Sequence, residues 1–416
     1  MAPPVHGPRR HGQGQPAREW DALIEEVRDL PGFGNFLRPP RLAELQAALP
    51  GPVVLVNVST VRCDALIVTG DAVRVPLPGL TARDTHTRVV GLLTALHEAD
   101  RATGVAGTAA RMVREQMLLD VLEWLWEVVA APVLEALRLT APVPPHGSWT
   151  RLWWCPTGLL ALLPLHAAGR PADPGSDRPR SGDSVLDRVV SSYTPTLRNL
   201  VREPARSGVR RGSRGARGTG LLAVAVGEAP GLPVLRGVRR EAEAVTRFFP
   251  GRLHRVLDGP DATRDAVRSA LAEHTWAHIA CHAGQDLTAP SRAGFHLHDG
   301  LLTVTELAAA HPEGPGELVY LSACETAMGG AGAPDEAITL AHALQFTGYR
   351  QVVAALWSVE DTIAVRTAED FYTRVAGAGG PDPARAAEAL HHSVRALRAR
   401  MPHAPGRWAS YVHVGA

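Results

Sequence analysis

The sequence predicts an α/β protein with a mostly parallel sheet covered by helices on both faces. Short, nearly continuous apolar runs of strand length recur along it, as at 53–58, 221–226 and 352–357. Such runs suit strands buried on both faces. Segments with helical periodicity lie between many of them, and alternation of the two types favours parallel strands joined by crossover helices.

The elements follow in order. A short helical region around Trp20–Val27 opens the first block. Strand-like runs come next at Val53–Val58, Ala65–Val68 and Val73–Leu77. Helical patterns cover Thr85–Glu98 and Thr108–Leu137, and Pro132, which lacks an N–H, is expected to kink or divide the second. Leu152–Cys155 reads as a strand, whereas Leu159–His166 is apolar without a clear period. Stretches 170–184, rich in Pro, Gly, Asp and Ser, and 203–220, rich in Gly, Ser and Arg, read as exposed loops or linkers. The expected organisation is therefore a tail at 1–17, an α/β half at 18–200, a linker at 201–217 and a second α/β half at 218–416. That second half alternates more cleanly. Its expected strands are Leu221–Val226, Trp276–Cys281, Glu317–Ala323 and Val352–Trp357. Its expected helices are Val238–Phe249, Ala262–Ala272, Asp335–Phe346, Thr362–Val375 and Pro383–Arg400. Gly348 stops the third of these helices.

Composition narrows the function. At 416 residues and 45 % hydrophobic content the chain can bury a large core. A formal charge of +1 argues against electrostatic capture of nucleic acid. All 43 basic residues are arginine, which reads as GC-rich bacterial coding bias. Four cysteines without CxxC spacing, no apolar leader and no membrane-spanning run lead us to expect a reduced, cytoplasmic protein. Without lysine there is no Gly-Lys-Ser/Thr phosphate loop, and neither HExxH nor GxSxG occurs.

Chemistry gathers at two expected strand ends. One leads into His282, in the run Trp276-Ala-His-Ile-Ala-Cys-His-Ala-Gly284; the other into Cys324, in Tyr320-Leu-Ser-Ala-Cys-Glu-Thr-Ala-Met-Gly-Gly330. In open α/β sheets, ligands bind at the carboxyl ends of strands. A thiol becomes a nucleophile near neutral pH when a base takes its proton, and a histidine on a neighbouring strand end supplies one. Small residues after each group let a substrate backbone approach. Cys281 is expected on the face opposite His282, in a structural role. A metal site made from His278, Cys281, His282 and Cys324 is disfavoured by that alternation. His166 is expected to be structural, His391 and His392 to lie at the surface, and Trp149, Trp153 and Trp154 to belong to the core.

The two strand-end segments resemble the CHAT domain family of caspase-like cysteine peptidases, within the caspase/separase-like clan. The resemblance extends to His298-Asp-Gly-Leu-Leu-Thr-Val304, Pro334-Asp-Glu336, the run Gly348–Trp357 with Asp361 after it, and Trp408-Ala-Ser-Tyr-Val-His-Val-Gly415. In the first block it includes Pro31-Gly-Phe33, Phe36-Leu-Arg-Pro-Pro40 and Trp154-Cys-Pro-Thr-Gly158.

The resemblance implies a caspase-like three-layer α/β/α sandwich at 218–416, preceded by a related, catalytically silent α/β half. It implies Cys324 as nucleophile and His282, 42 positions upstream, as general base. The backbone amides of Ala283 and Cys324 are the oxyanion-hole candidates; relatives often carry glycine where Ala283 stands. Asp299, Glu325, Glu336 and Asp361 are candidate orienting or substrate-pocket residues. No cofactor or metal is implied. The expected partners are a protein substrate and a separate sensor or activator, without direct contact to nucleic acid or membrane, with roles in bacterial defence or regulated cell death. The alternative is a CHAT-like scaffold that binds without turnover.

Overall fold

Pentapeptides rich in valine, leucine and alanine become the strands of one large sheet, because their side chains can be buried on both faces. The computed structural model describes residues 14–34, 36–38, 40–144, 146–173, 175–176, 178–201, 220–250, 254–284, 292–309, 316–322, 340–377 and 380–416. Two units are distinguished, Met1–Ala48 and Leu49–Ala416. The first contains helices α1 (Gly14–Arg28) and α2 (Leu42–Ala48). After α1, Arg28 Nε donates to Phe36 O (2.9 Å), and the rings of Phe33 and Phe36 meet edge to face.

In the second unit, β1 (Val53–Asn57), β2 (Asp64–Val68) and β3 (Ala72–Pro76) form an antiparallel meander. Helices α3 (Ala82–Arg101) and α4 (Gly104–Leu125) pack side by side. Thr81 caps α3 by accepting from Asp84 N–H. The division expected at Pro132 is a π-helical turn, Trp126–Ala130, followed by α5 (Ala131–Ala136). There Ala131 N–H reaches back to Trp126 O, and the wider turn relieves the clash a proline ring makes with the carbonyl four residues earlier. Next come β4 (Thr150–Pro156), short 3₁₀ turns within 158–167, β5 (Val189–Tyr193) and α6 (Leu197–Val201).

The remaining elements are β6 (Leu221–Ala225), α7 (Val238–Thr246), β7 (His254–Asp258), α8 (Arg264–Glu273), β8 (Trp276–Ala280), β9 (His282–Gly284), β10 (Gly294–Leu297) and β11 (Gly300–Thr303). They continue with α9 (Val304–Ala309), β12 (Leu318–Ser322), α10 (Leu340–Phe346), β13 (Gln351–Ala355), α11 (Asp361–Val375), the short pair β14 (Ala376–Gly377) and β15 (Gly380–Pro381), α12 (Ala386–Arg400) and β16 (Tyr411–Gly415).

Eleven strands form one sheet in the order β3-β2-β1-β4-β5-β16-β13-β12-β8-β6-β7. β1, β4, β5 and β16 run parallel to one another, as do β13, β12, β8, β6 and β7. The two sets meet antiparallel where β16 pairs with β13. Every residue of β6, β8, β13 and β16 is buried, which requires cover on both faces. The strands of the two expected halves thus belong to a single sheet, joined where Val414 of β16 stands opposite Tyr193 of β5. The expected linker lies, except for its first residue, outside the described residues.

Polar ties fasten this seam. His413 on β16 pairs its Nδ1 with Ser192 Oγ of β5 (3.0 Å) and its Nε2 with Gln351 Oε1 of β13 (2.9 Å). Trp153 Nε1 donates to Gly415 O (2.8 Å), and Arg398 on α12 forms a buried pair with Asp187 (3.1 Å).

Candidate active site

Strand register brings the two motif-bearing segments level. β8 and β12 are adjacent and parallel, paired from Trp276 with Leu318 through to Ala280 with Ser322. Beyond Ala280 the chain bends at fully buried Cys281, and His282 opens β9, the edge strand of a small sheet ordered β11-β10-β9. Beyond Ser322 the sequence reaches Cys324 after the same offset. Cys324, Glu325 and Glu336 lie outside the described residues.

The half-buried His282 imidazole approaches Pro233 O with its Nε2 at 2.7 Å. A carbonyl only accepts, so Nε2 carries the hydrogen, and in the neutral ring Nδ1 keeps its lone pair. Pro233 belongs to the turn after β6, which is closed by Leu232 N–H to Ala229 O (3.1 Å) and Leu235 N–H to Gly227 O (2.8 Å).

A second imidazole shares this face. His296 of β10 stands directly opposite His282 of β9, so both side chains project from the same side of the ribbon. A Cβ on Gly284 would lie 2.8 Å from His296 Nε2, so the glycine leaves room for that ring. Burial holds the His296 imidazole below the ordinary range, and the His282 charge pushes the same way. Sequence reasoning missed His296. The β10–β11 turn at His298-Asp299 sets His296 opposite Leu301, whereas its place opposite His282 comes from the separate pairing with β9, which no short-range motif marks.

The other candidates are dispersed. Ala283 faces Phe295 across the β9–β10 pair, and alternate amides of an edge strand point away from its neighbour. Asp299 accepts the backbone N–H of Arg264, the first residue of α8 (2.8 Å), and thereby ties the β10–β11 hairpin to that helix. Asp361 accepts the N–H groups of Arg236 (3.1 Å) and Gly237 (3.0 Å).

Beneath the strand ends lies a buried polar cluster. His278 Nε2 of β8 is 3.2 Å from Glu241 Oε1 of α7, although the pair lacks the alignment of a hydrogen bond. The His278 ring stacks on Tyr320 of β12 at 5.0 Å between centroids, and Tyr372 of α11 tilts against both. Desolvation pushes the Tyr320 and Tyr372 phenols well above their ordinary value, so they serve here as neutral polar packing.

Cys63, Cys155 and Cys281 are all buried, and burial pushes the Cys155 thiol up to about 12. Trp153 and Trp154 are core residues, and His166 is buried with its Nδ1 beside Tyr193 OH (3.0 Å). His391, expected at the surface, is instead only 5 % exposed, with its ring 4.4 Å from that of Trp149. Its ring meets those of Trp149 and His392 edge to face, which holds it against the interior. Among the described residues no cluster of three or more His, Cys, Asp or Glu is placed to hold a metal ion. No helix among them is long and apolar enough to cross a membrane.

A mostly parallel sheet flanked by helices, with a carbonyl-held histidine past one strand end and a thiol-bearing segment after the next, defines a caspase-like α/β fold. The chain belongs to the CHAT domain family, whose profile matches residues 119–416. It is similar to two crystal structures of the Saccharomyces cerevisiae separase–securin complex, with TM-scores of 0.54 and 0.57 at 10 % and 9 % identity. These alignments cover 97 % of this chain but only 31 % and 32 % of the separase chain, so the protein spans about a third of the chain it matches. The complex of Porphyromonas gingivalis RgpB pro- and mature domains aligns with a TM-score of 0.43 at 11 % identity, over 70 % of this chain and 69 % of that one. Among curated protein sequences none matches the chain.

Proposed function

We propose that the protein is a cysteine endopeptidase that hydrolyses peptide bonds in protein substrates, with Cys324 as nucleophile and His282 as general base. The flush pairing of Ala280 with Ser322 carries the reading, because each candidate group follows its strand end by two residues. Burial of Cys63, Cys155 and Cys281 adds support by making each a poor nucleophile. Residues 218–416 would form the peptidase half and 18–200 a catalytically silent half, with 1–17 a tail and 201–217 the connection between halves.

In this mechanism His282 Nδ1 takes the Cys324 thiol proton while Nε2–H stays on Pro233 O. The thiolate attacks the scissile carbonyl, and the amides of Ala283 and Cys324 receive the developing oxyanion. His282 then returns its proton to the leaving amine, and water hydrolyses the resulting thioester. Glu325 and Glu336 remain candidates for the substrate pocket. Activation by a separate sensor protein, in a cytoplasmic defence or cell-death response, completes the proposal.

The deciding experiment is labelling with an electrophilic peptide probe, alongside digestion of a peptide library. We expect a Cys324 adduct that disappears in His282→Ala, and cleavage that Cys324→Ala abolishes without altering the circular dichroism spectrum. Residual proteolysis in Cys324→Ala, or an unmodified Cys324 with and without activating partners, would favour a non-catalytic scaffold.

A further inference from the structure

We propose that Asp361 is a positioning residue for His282, acting through segment 233–237 that carries the imidazole's acceptor; this rests on reading His282 as the general base. Asp361 is the first residue of α11, following Glu360 at the N-cap. A carboxylate there ordinarily serves the free amides and positive end of its own helix. Here its Oδ2 instead accepts two N–H groups from more than a hundred residues upstream, those of Arg236 and Gly237. These amides stand at the start of α7, whose N-cap, Gly237, has no side chain with which to cap. Asp361 supplies that cap from another element.

The fit depends on glycine. A Cβ on residue 237 would lie 2.9 Å from Asp361 Cβ and 3.2 Å from its carboxyl carbon. Four residues before Gly237 is Pro233, whose carbonyl holds His282 Nε2. The direction of that carbonyl is set by the backbone on either side of it. Upstream, the turn is closed on Ala229, and downstream it is fixed by Leu235 N–H on Gly227 O and by the two bonds to Asp361. Proline has no N–H with which to add a further tie. Removing the carboxylate leaves the downstream side held through Leu235 N–H on Gly227 O without the two bonds beyond it, and the loosened carbonyl no longer selects the Nε2–H tautomer of the ring.

The test uses the full chain carrying Cys324→Ala and reads the His282 ring by ¹⁵N-histidine NMR. The parent is expected to show a single Nε2–H tautomer with a slowly exchanging ring proton. Asp361→Ala should lose that signature, and so should Gly237→Ala, which displaces the carboxylate without deleting it. Asp361→Asn, whose amide oxygen still accepts, should keep it. With Cys324 intact, Asp361→Ala should lower kcat by about 10- to 100-fold at little cost in KM. Asp361→Asn should recover most of that loss. An unchanged ring signature in both Asp361→Ala and Gly237→Ala overturns the proposal, as does a loss in Asp361→Asn equal to that in the alanine variant. The spectrum reads the imidazole whether or not peptides are cut, so absent turnover in the parent would count against the peptidase reading alone.

Discussion

At the scale of single residues, His282 divides its two ring nitrogens between separate duties. One is occupied by Pro233 O, and in the proposed mechanism the other exchanges a proton. Deleting the ring should lower kcat/KM by about 10²–10⁴-fold, the usual worth of a positioned general base. His296 is a second imidazole whose ionisation answers to His282. Its imidazole is held low first by burial and second by the His282 charge, so His282→Ala should raise its titration midpoint while burial keeps it below the ordinary 6.5. Following the His296 Cε1–H resonance against pH checks this, and an identical midpoint in both proteins would show that the two rings do not feel each other.

At the scale of elements, the hairpin that carries these imidazoles depends on tight contacts. A Cβ on Gly294 would collide with Leu302 O across the β10–β11 pair, so Gly294→Ala should force the two strands apart. The expected result is a stability loss of about 1–3 kcal/mol from strained or broken ladder bonds, measured by urea unfolding. α7 instead buries an acid, Glu241, beside His278 in the interior. Glu241→Ala leaves that imidazole facing a void and should cost about 1–3 kcal/mol or more, with little change at the surface. A melting temperature equal to that of the parent would show that the pair contributes nothing.

The long elements were legible because their apolar periodicity is strong. β1, β2, β3, β6, β8 and β12 lie within a residue or two of the expected runs. β5 was missed because Val-Val-Ser-Ser-Tyr breaks the apolar run with two serines, which face Trp154 and the His413 seam. β7 was missed because His-Arg-Val-Leu-Asp is an edge strand exposed over much of its length. The strands of the His282 hairpin have only three or four residues, too few to show a period. The histidine itself could be found from its strand-end position, but its partners could not. Pro233 contributes only a backbone carbonyl, and Asp361 acts across a distance in sequence that no motif records.

At the scale of the whole molecule, the seam between the two sets of strands concentrates buried neutral histidines. Desolvation pushes His166 down to about 3 and holds His391 and His413 well below 6.5, with neighbouring positive charges adding to the effect at the last two. Each is lower in the fold than in the unfolded chain. The stability that depends on their neutrality is therefore complete above about pH 6.5 and is lost as the pH falls toward 3. His166 contributes a slope on the order of 1 kcal/mol per pH unit across that window, and His391 and His413 act in the same direction below 6.5. Urea unfolding at pH 7, 6 and 5 should show the decline, and His391→Phe should flatten it by one histidine's share. An undiminished slope in that variant would remove His391 from the account.

The antiparallel meeting of β16 and β13 also decides where the first half can act. Because β1, β4 and β5 run against β6, β8, β12 and β13, their carboxyl ends open on the far rim, a strand's length of roughly 16 Å from the His282 side. A molecule docking on that opposite rim would lie on the other side of the sheet from the proposed peptide site beside His282. The Ser192–His413–Gln351 ladder crosses from β5 through β16 to the start of β13, so a tightening or slackening of the seam would reach the second set of strands at that end.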